Sequence, residues 1–263
     1  MLKILQIIFC LLLPLFINAA ERVVSLSPAV TELVIFAGGR AQLCARSSAC
    51  TMPEVKHLPI AGDLGKPFPE AVLRHRAALI ISDIVHPQAN WQVLQRCGIK
   101  IELLNNRSID DLPRNVRRIG KLLALPGSEA AAAGLSGQIA ELKRRRPSRL
   151  RPAVVLFGVS PLISCGDDTF IAAALDLAGV ENLAAPAGKK YFVLTPEFLC
   201  TVRPELLIFI GVTGAQAEKM LEKSSFRHLR RCRRIFLAPD IWGRLTPGMI
   251  PAVAELQRQL AAE

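Results

Sequence analysis

Hydrophobic positions along this 263-residue chain fall into short β-branched or aliphatic runs, separated by stretches with helical spacing. Runs at 22–26, 42–45, 78–82 and 99–104 predict strands in the first half, and runs at 153–157, 206–210 and 234–237 predict strands in the second. Helical patterns are expected at 69–76 and 88–97, then at 168–178, 196–202, 214–222 and 247–261. Ser27-Pro28, after the first run, supplies a cap and a first-turn proline, so the chain opens strand, turn, helix. Alternation of this kind predicts parallel sheets covered by helices.

The pattern occurs twice. Pro69-Glu70 opens a stretch that ends in Leu79-Ile80-Ile81, and Pro196-Glu197 opens one that ends in Leu206-Leu207-Ile208, 127 residues later. Arg76 and Arg203 hold equivalent places within the two copies. Thr31 to Gly38 likewise resembles Ile171 to Gly179. Two similar α/β lobes follow, each with one glutamate at a matching position. Between them the segment 112–146 contains no good strand, and Leu135, Ile139 and Leu142 recur at helical spacing, so a helix at 129–146 is expected to join the lobes. The reading divides the chain into 21–111, a linking helix within 112–150, and 151–263.

Residues 1–20 combine Lys3, an apolar run and Ala19-Ala20, the pattern of a secretory signal cleaved near Ala19 or Ala20. That run is shorter than the roughly 20 residues needed to span a bilayer. Losing it takes the formal charge only from +11 to +10. Basic residues gather at Arg114/Arg117/Arg118, from Lys143 to Arg151, and from Arg227 to Arg234. With a single tyrosine and no interleaved aromatics, these read as solvated faces rather than a nucleic-acid surface. Six cysteines remain, three in each half. Cys44–Cys50 and Cys200–Cys232 are the pairings considered for an exported chain, although sequence does not fix connectivity. No C-x-x-C or histidine-rich spacing points to a metal. No nucleophile stands beside a base, and Asp167-Asp168 precedes an apolar helix as a cap would, so no catalytic residue is assigned.

Several short motifs occur in a telling order: Arg22 to Leu33, Pro53-Glu54-Val55, Ile60-Ala61-Gly62, Pro69-Glu70, Phe157-Gly158, Leu177-Ala178-Gly179 with Glu181-Asn182, Pro196-Glu197, and Asp240 with Arg244. Together they resemble the substrate-binding proteins of ABC importers that receive cobalamin, haem and ferric siderophores. The resemblance spans nearly the whole chain after residue 21. It implies an α/β fold of two Rossmann-like lobes joined by a single long helix. It also implies a periplasmic monomer without enzymatic activity or a cofactor of its own, serving a permease dimer and its ATPase. Glu70 and Glu197 match the glutamates that meet permease arginines in that family, and each would also suit a helix N-terminus.

Two facing lobes would enclose a cleft at the carboxyl ends of their strands. Candidate ligand-binding residues there are Ser27, Pro28, Arg46, Asp63, Leu64 and Asp83 on the first lobe, and Ile163, Tyr191, Asp240, Trp242 and Arg244 on the second. By resemblance, Asp240 and Arg244 match residues that contact corrin amides, and Tyr191 falls where cobalamin-binding members carry an aromatic. Ala49, Leu64 and Asp83 depart from that pattern, standing where those members place aromatics. A cobalamin-type corrinoid is the leading ligand. The surplus of arginine suits an anionic ferric siderophore, and Tyr191 or a histidine could serve haem. An exported α/β enzyme is the competing reading from another class.

Overall fold

In the computed structural model, described over residues 22–87, 91–184 and 190–262, both halves build a parallel sheet. The expected signal segment and its cleavage point lie outside the described residues. The first sheet contains β1 (Val23–Ser25), β2 (Leu43–Ser47), β3 (Ile60–Asp63), β4 (Lys66–Pro67), β5 (Leu79–Ser82) and β6 (Lys100–Leu103), ordered β4-β3-β2-β1-β5-β6. All its pairs are parallel except β3 with β4. Around it lie α1 (Pro28–Phe36), α2 (Pro69–Arg74) and α3 (Trp91–Arg96).

The second sheet contains β7 (Arg151–Leu156), β10 (Val180–Asn182), β12 (Leu206–Ile210) and β13 (Arg233–Leu237), ordered β10-β7-β12-β13 and parallel throughout. A small antiparallel sheet, β11-β9-β8, adds β8 (Gly158–Val159), β9 (Leu162–Cys165) and β11 (Tyr191–Val193). Its helices are α6 (Phe170–Leu177), α7 (Pro196–Thr201), α8 (Gly214–Leu221), α9 (Pro239–Trp242) and α10 (Met249–Ala261).

The repeat seen in the sequence is a repeat of topology. β5 lies beside β1 as β12 lies beside β7, each preceded by the proline-opened helix that carries its glutamate. Gly38 and Gly179 close the equivalent helices α1 and α6 with φ near +90°, the left-handed conformation that glycine adopts without a Cβ penalty. Ser27 and Thr169 cap those helices in the same way, each accepting from a backbone N–H three residues on.

The connection differs from the one helix expected. Residues 112–150 hold two helices, the end of α4 (Asp111–Leu122) and the whole of α5 (Ser128–Arg144). In α4, Leu112, Val116 and Ile119 are buried, while Arg114, Arg117 and Arg118 ion-pair at the surface with Asp111, Glu129 and Glu102. A basic cluster in the sequence is thus the polar face of a helix. The turn between α4 and α5 is so close that a Cβ on Gly120 would lie 1.8 Å from Ser128 Oγ.

Buried Ala132, Leu135, Ile139 and Leu142 of α5 share one core with Val30 and Leu33 of α1, Ile171 and Leu175 of α6, and Val253 and Leu256 of α10. The lobes are therefore welded at their base by apolar contact, not tethered. Buried Gln257 of α10 reinforces the weld: its amide donates to Leu142 O at 2.9 Å and Leu177 O at 2.7 Å, carbonyls in the last turns of α5 and α6. Gln257→Leu is expected to cost about 2 kcal/mol by stranding those carbonyls, readable in urea denaturation.

All six cysteines among the described residues are free thiols, so neither guessed disulfide is formed. Cys44 and Cys50 belong to different core clusters. Cys44 donates to Val23 O at 3.3 Å, and Cys50 lies 3.1 Å from Thr31 Oγ1. Cys232 donates to Pro204 O at 3.1 Å. Burial raises the pKa of Cys44, Cys50, Cys165 and Cys232, which keeps these thiols protonated and unreactive.

Candidate ligand-binding site

A cavity of about 560 Å³ opens between the lobes, within the roughly 300–1,000 Å³ typical of small-molecule sites. The first lobe contributes Ser27 and Pro28 after β1, Ala49 after β2, Leu64 after β3, Asp83 to Val85 after β5, and Asn106 and Arg107 after β6. These are the carboxyl ends of successive strands, where an open α/β sheet presents its loops. The second lobe contributes Asp168 to Phe170 at the start of α6, Lys190 and Tyr191 at β11, and Pro239 with Gly243 to Leu245 around α9.

The lining divides by chemistry. Leu64, Ile84, Val85 and Tyr191 are large hydrophobic side chains left exposed, 36–51% open to solvent. Apolar surface of this kind, set in a concave wall, is unsatisfied without a partner. The aliphatic trio thus stands in the region where the resemblance led one to expect aromatics. Tyr191 is held opposite Cys165 in the β11–β9 pairing and packs edge-on against Phe157, ring centres 5.6 Å apart. Although half its surface is open, desolvation of the phenol, with the Cys165 thiol as a lesser cause, pushes its pKa up to about 12.

At the floor, Arg244 reaches across from the second lobe. Its Nη1 donates to Glu32 Oε1 of α1 at 2.9 Å and its Nη2 to Asp240 Oδ1 at 2.8 Å. Burial raises the Glu32 carboxyl above its ordinary range, while the Arg244 charge and the Thr246 hydroxyl pull it partly back. Nothing in the sequence separates Glu32 from an ordinary helical glutamate, because its partner lies 212 residues away.

Of the expected site residues, Ser27, Pro28, Leu64, Asp83, Tyr191 and Arg244 come together around the cavity. Five others do not line it. Trp242 is 3% exposed and packs into the shared core. Arg46 turns away, donating to Ser47 O and Lys56 O. Asp63 accepts from the Ser48 hydroxyl at 2.6 Å. Ile163 sits mid-strand, facing Val193 across the small sheet. Asp240 reaches the site only through Arg244. Reasoning from strand ends missed Asn106, Arg107, Asp168 and Lys190, since the α6 N-terminus and the loop after β6 were not counted as wall. Glu70 and Glu197 are exposed in the first turns of α2 and α7, apart from the cavity. Among the described residues no cluster of three His, Cys, Asp or Glu side chains converges as metal ligands, and no helix is long and apolar enough to cross a membrane.

No family model matches the chain. It is 27% identical over 255 residues to a vitamin B12-binding protein of Yersinia pestis, covering 95% of this chain and 90% of that protein. Its fold matches the periplasmic vitamin B12 binding protein of Vibrio cholerae with a TM-score of 0.81, at 20% identity over 92% of this chain and 97% of the other. It also matches the periplasmic heme binding protein of the same organism with a TM-score of 0.75, at 22% identity over 92% and 99%. Each of these matched proteins is a binding protein for a small molecule. Two α/β lobes, a shared helical base and an end-to-end match make the chain similar, over most of its length, to periplasmic vitamin B12- and heme-binding proteins.

Proposed function

We propose that this protein is exported, captures a cobalamin-type corrinoid between its lobes, and delivers it to the permease dimer of an ABC importer. The observation that carries the ligand assignment is the cavity's lining. An aliphatic wall of Leu64, Ile84 and Val85 with Tyr191 offers a bed for an apolar macrocycle, and the surrounding polar groups include both donors and acceptors. A corrinoid presents that combination, a flat ring edged with carboxamides. The match to a vitamin B12-binding protein over most of both chains supports the same reading.

Haem is the second reading, favoured by Tyr191 on the wall and by the fold match to a heme binding protein. Against it, the desolvated phenol of Tyr191 resists the ionisation that ligation of ferric iron requires, and none of the four histidines lines the cavity. A ferric siderophore draws support only from the surface surplus of arginine, much of which is engaged. Arg146 pairs with Asp176, Arg149 and Arg151 with Glu205, and Arg234 with Glu218.

Mixing the protein with excess cyanocobalamin and passing it over a sizing column tests the assignment. The corrin absorbance should co-elute with protein at one equivalent. Elution of all the corrinoid in the small-molecule fraction, with haemin retained instead, would transfer the assignment to haem.

The unitary core at the base and the Arg244–Glu32 pair across the floor both oppose wide opening of the lobes. Solution scattering with and without saturating ligand is expected to give superimposable curves, and a hinge motion of the clamshell kind would show as a clear contraction.

A further inference from the structure

Asp83, just past β5 on the cavity wall, has an unfinished hydrogen-bond set. Its Oδ2 accepts from Asn106 Nδ2 at 3.2 Å. Its Oδ1 is buried, and no group among the described residues donates to it. Two adjacent donors are spent elsewhere: the Ser82 hydroxyl donates to Ile84 O at 2.6 Å, and the Ile84 N–H donates to Ser82 Oγ at 3.3 Å, while Arg107 and Lys190, on the same lining, do not donate to Oδ1. Exposed Ile84 and Val85 follow it in sequence and line the same cavity, keeping its surroundings apolar. The floor guanidinium, Arg244, is committed to Glu32 and Asp240. A buried anionic oxygen without a donor is costly, and chains retain one where something else completes it.

Resting on the corrinoid reading, we propose that Asp83 sets the specificity of this cavity, requiring a ligand edge that carries a neutral N–H donor and rejecting one that carries a carboxylate. Because Asp83 lines the cavity, a turn of its carboxyl group would bring Oδ1 to the cavity surface, where a peripheral primary carboxamide would donate to it and complete the set. A haem edge offers propionates, vinyls, methyls and meso C–H groups and no N–H donor, so the same oxygen would face either a like charge or an apolar group. Discrimination then comes from one side chain acting in both directions, attraction for the amide and repulsion for the acid. In the sequence, Asp83 looked like a loss, an aspartate where an aromatic was expected. In the structure it exchanges stacking area for a polar filter.

The test measures dissociation constants for cyanocobalamin and haemin on the wild type, Asp83→Ala and Asp83→Asn, with melting temperatures of the ligand-free proteins alongside. Asp83→Ala is expected to weaken cyanocobalamin at least tenfold and to leave haemin unchanged or tighter. Asp83→Asn, which keeps an acceptor and loses the charge, should fall between. Equal weakening of both ligands, or of neither, overturns the proposal. If the wild type takes haemin and not cyanocobalamin, the corrinoid reading fails by itself. The role of Asp83 then stands only if Asp83→Ala or Asp83→Asn tightens haemin, and unchanged haemin affinity overturns it. If neither ligand binds, the ligand-free proteins decide: relief of a buried unpaired charge predicts that Asp83→Asn melts higher than the wild type, and an equal or lower melting temperature overturns the proposal.

Discussion

Replacing Glu70 and Glu197 together by alanine is expected to reduce ligand uptake in cells by at least about tenfold while leaving ligand affinity within about twofold of the wild type. The two carboxylates occupy the same place in each lobe, exposed in the first turn of a short proline-opened helix that precedes the second strand of the sheet core, β5 or β12. A pair of equivalent charges on two equivalent lobes is the pattern needed to address a two-fold partner. Neither residue touches the cavity, so binding and delivery should separate cleanly. Each glutamate also faces the positive end of its helix, and its removal should cost only about 0.3–1 kcal/mol of stability, too little to explain lost uptake by unfolding. Each single replacement should give a partial loss, and charge reversal to lysine a complete one. Undiminished uptake by the double variant would remove the docking assignment.

Arg244→Ala is expected to weaken ligand binding by about thirtyfold, roughly 2 kcal/mol, the usual value of a charge-assisted hydrogen bond at a partly buried site. The guanidinium lies on the cavity floor and is aimed by two acceptors, one from each lobe. Glu32→Gln tests the aiming. Because burial outweighs the pull of Arg244 and lifts the Glu32 carboxyl, the folded protein holds a proton there over a pH range in which the unfolded chain has lost it. Stability from this group therefore falls as pH rises through the upper carboxylate range, and at neutral pH Glu32→Gln should be no less stable than the wild type. Its ligand affinity should nonetheless drop several-fold, since Arg244 loses its anchor on the first lobe. A variant that is clearly destabilised at pH 7 and keeps full affinity would show that the pair serves stability alone.

The central strands were legible because each carries an apolar run, Leu79 to Ile81 in β5, Ala153 to Leu156 in β7 and Leu206 to Ile210 in β12. Leu206 to Ile210 is buried at every position, so no other reading fits. The repeat was legible because proline, glutamate and the apolar run keep one spacing in both halves. Short edge strands were not. Lys66–Pro67 and Gly158–Val159 have two residues each, and pairing partners rather than composition make them strands. Helix α4 went unassigned in the sequence, where only 129–146 was read as helix; its Pro113 sits in the first turn, and its Gly120 permits the tight approach of Ser128. In the site, strand-end logic located Ser27, Leu64 and Asp83 because a loop follows its strand in sequence. It failed at Trp242, where a one-turn helix directs the indole into the core. The Glu32–Arg244 contact and the bare oxygen of Asp83 were beyond any local pattern, because the first depends on which groups the two lobes bring face to face and the second on a loop 23 residues along the chain.

Isothermal titration of the mature protein with cyanocobalamin tests the central claim most directly. Saturable one-to-one binding, micromolar or tighter and abolished or strongly weakened in Arg244→Ala, is the predicted result. An absence of heat and of any thermal stabilisation with cyanocobalamin, in a protein that binds haemin or a ferric siderophore stoichiometrically, would contradict it.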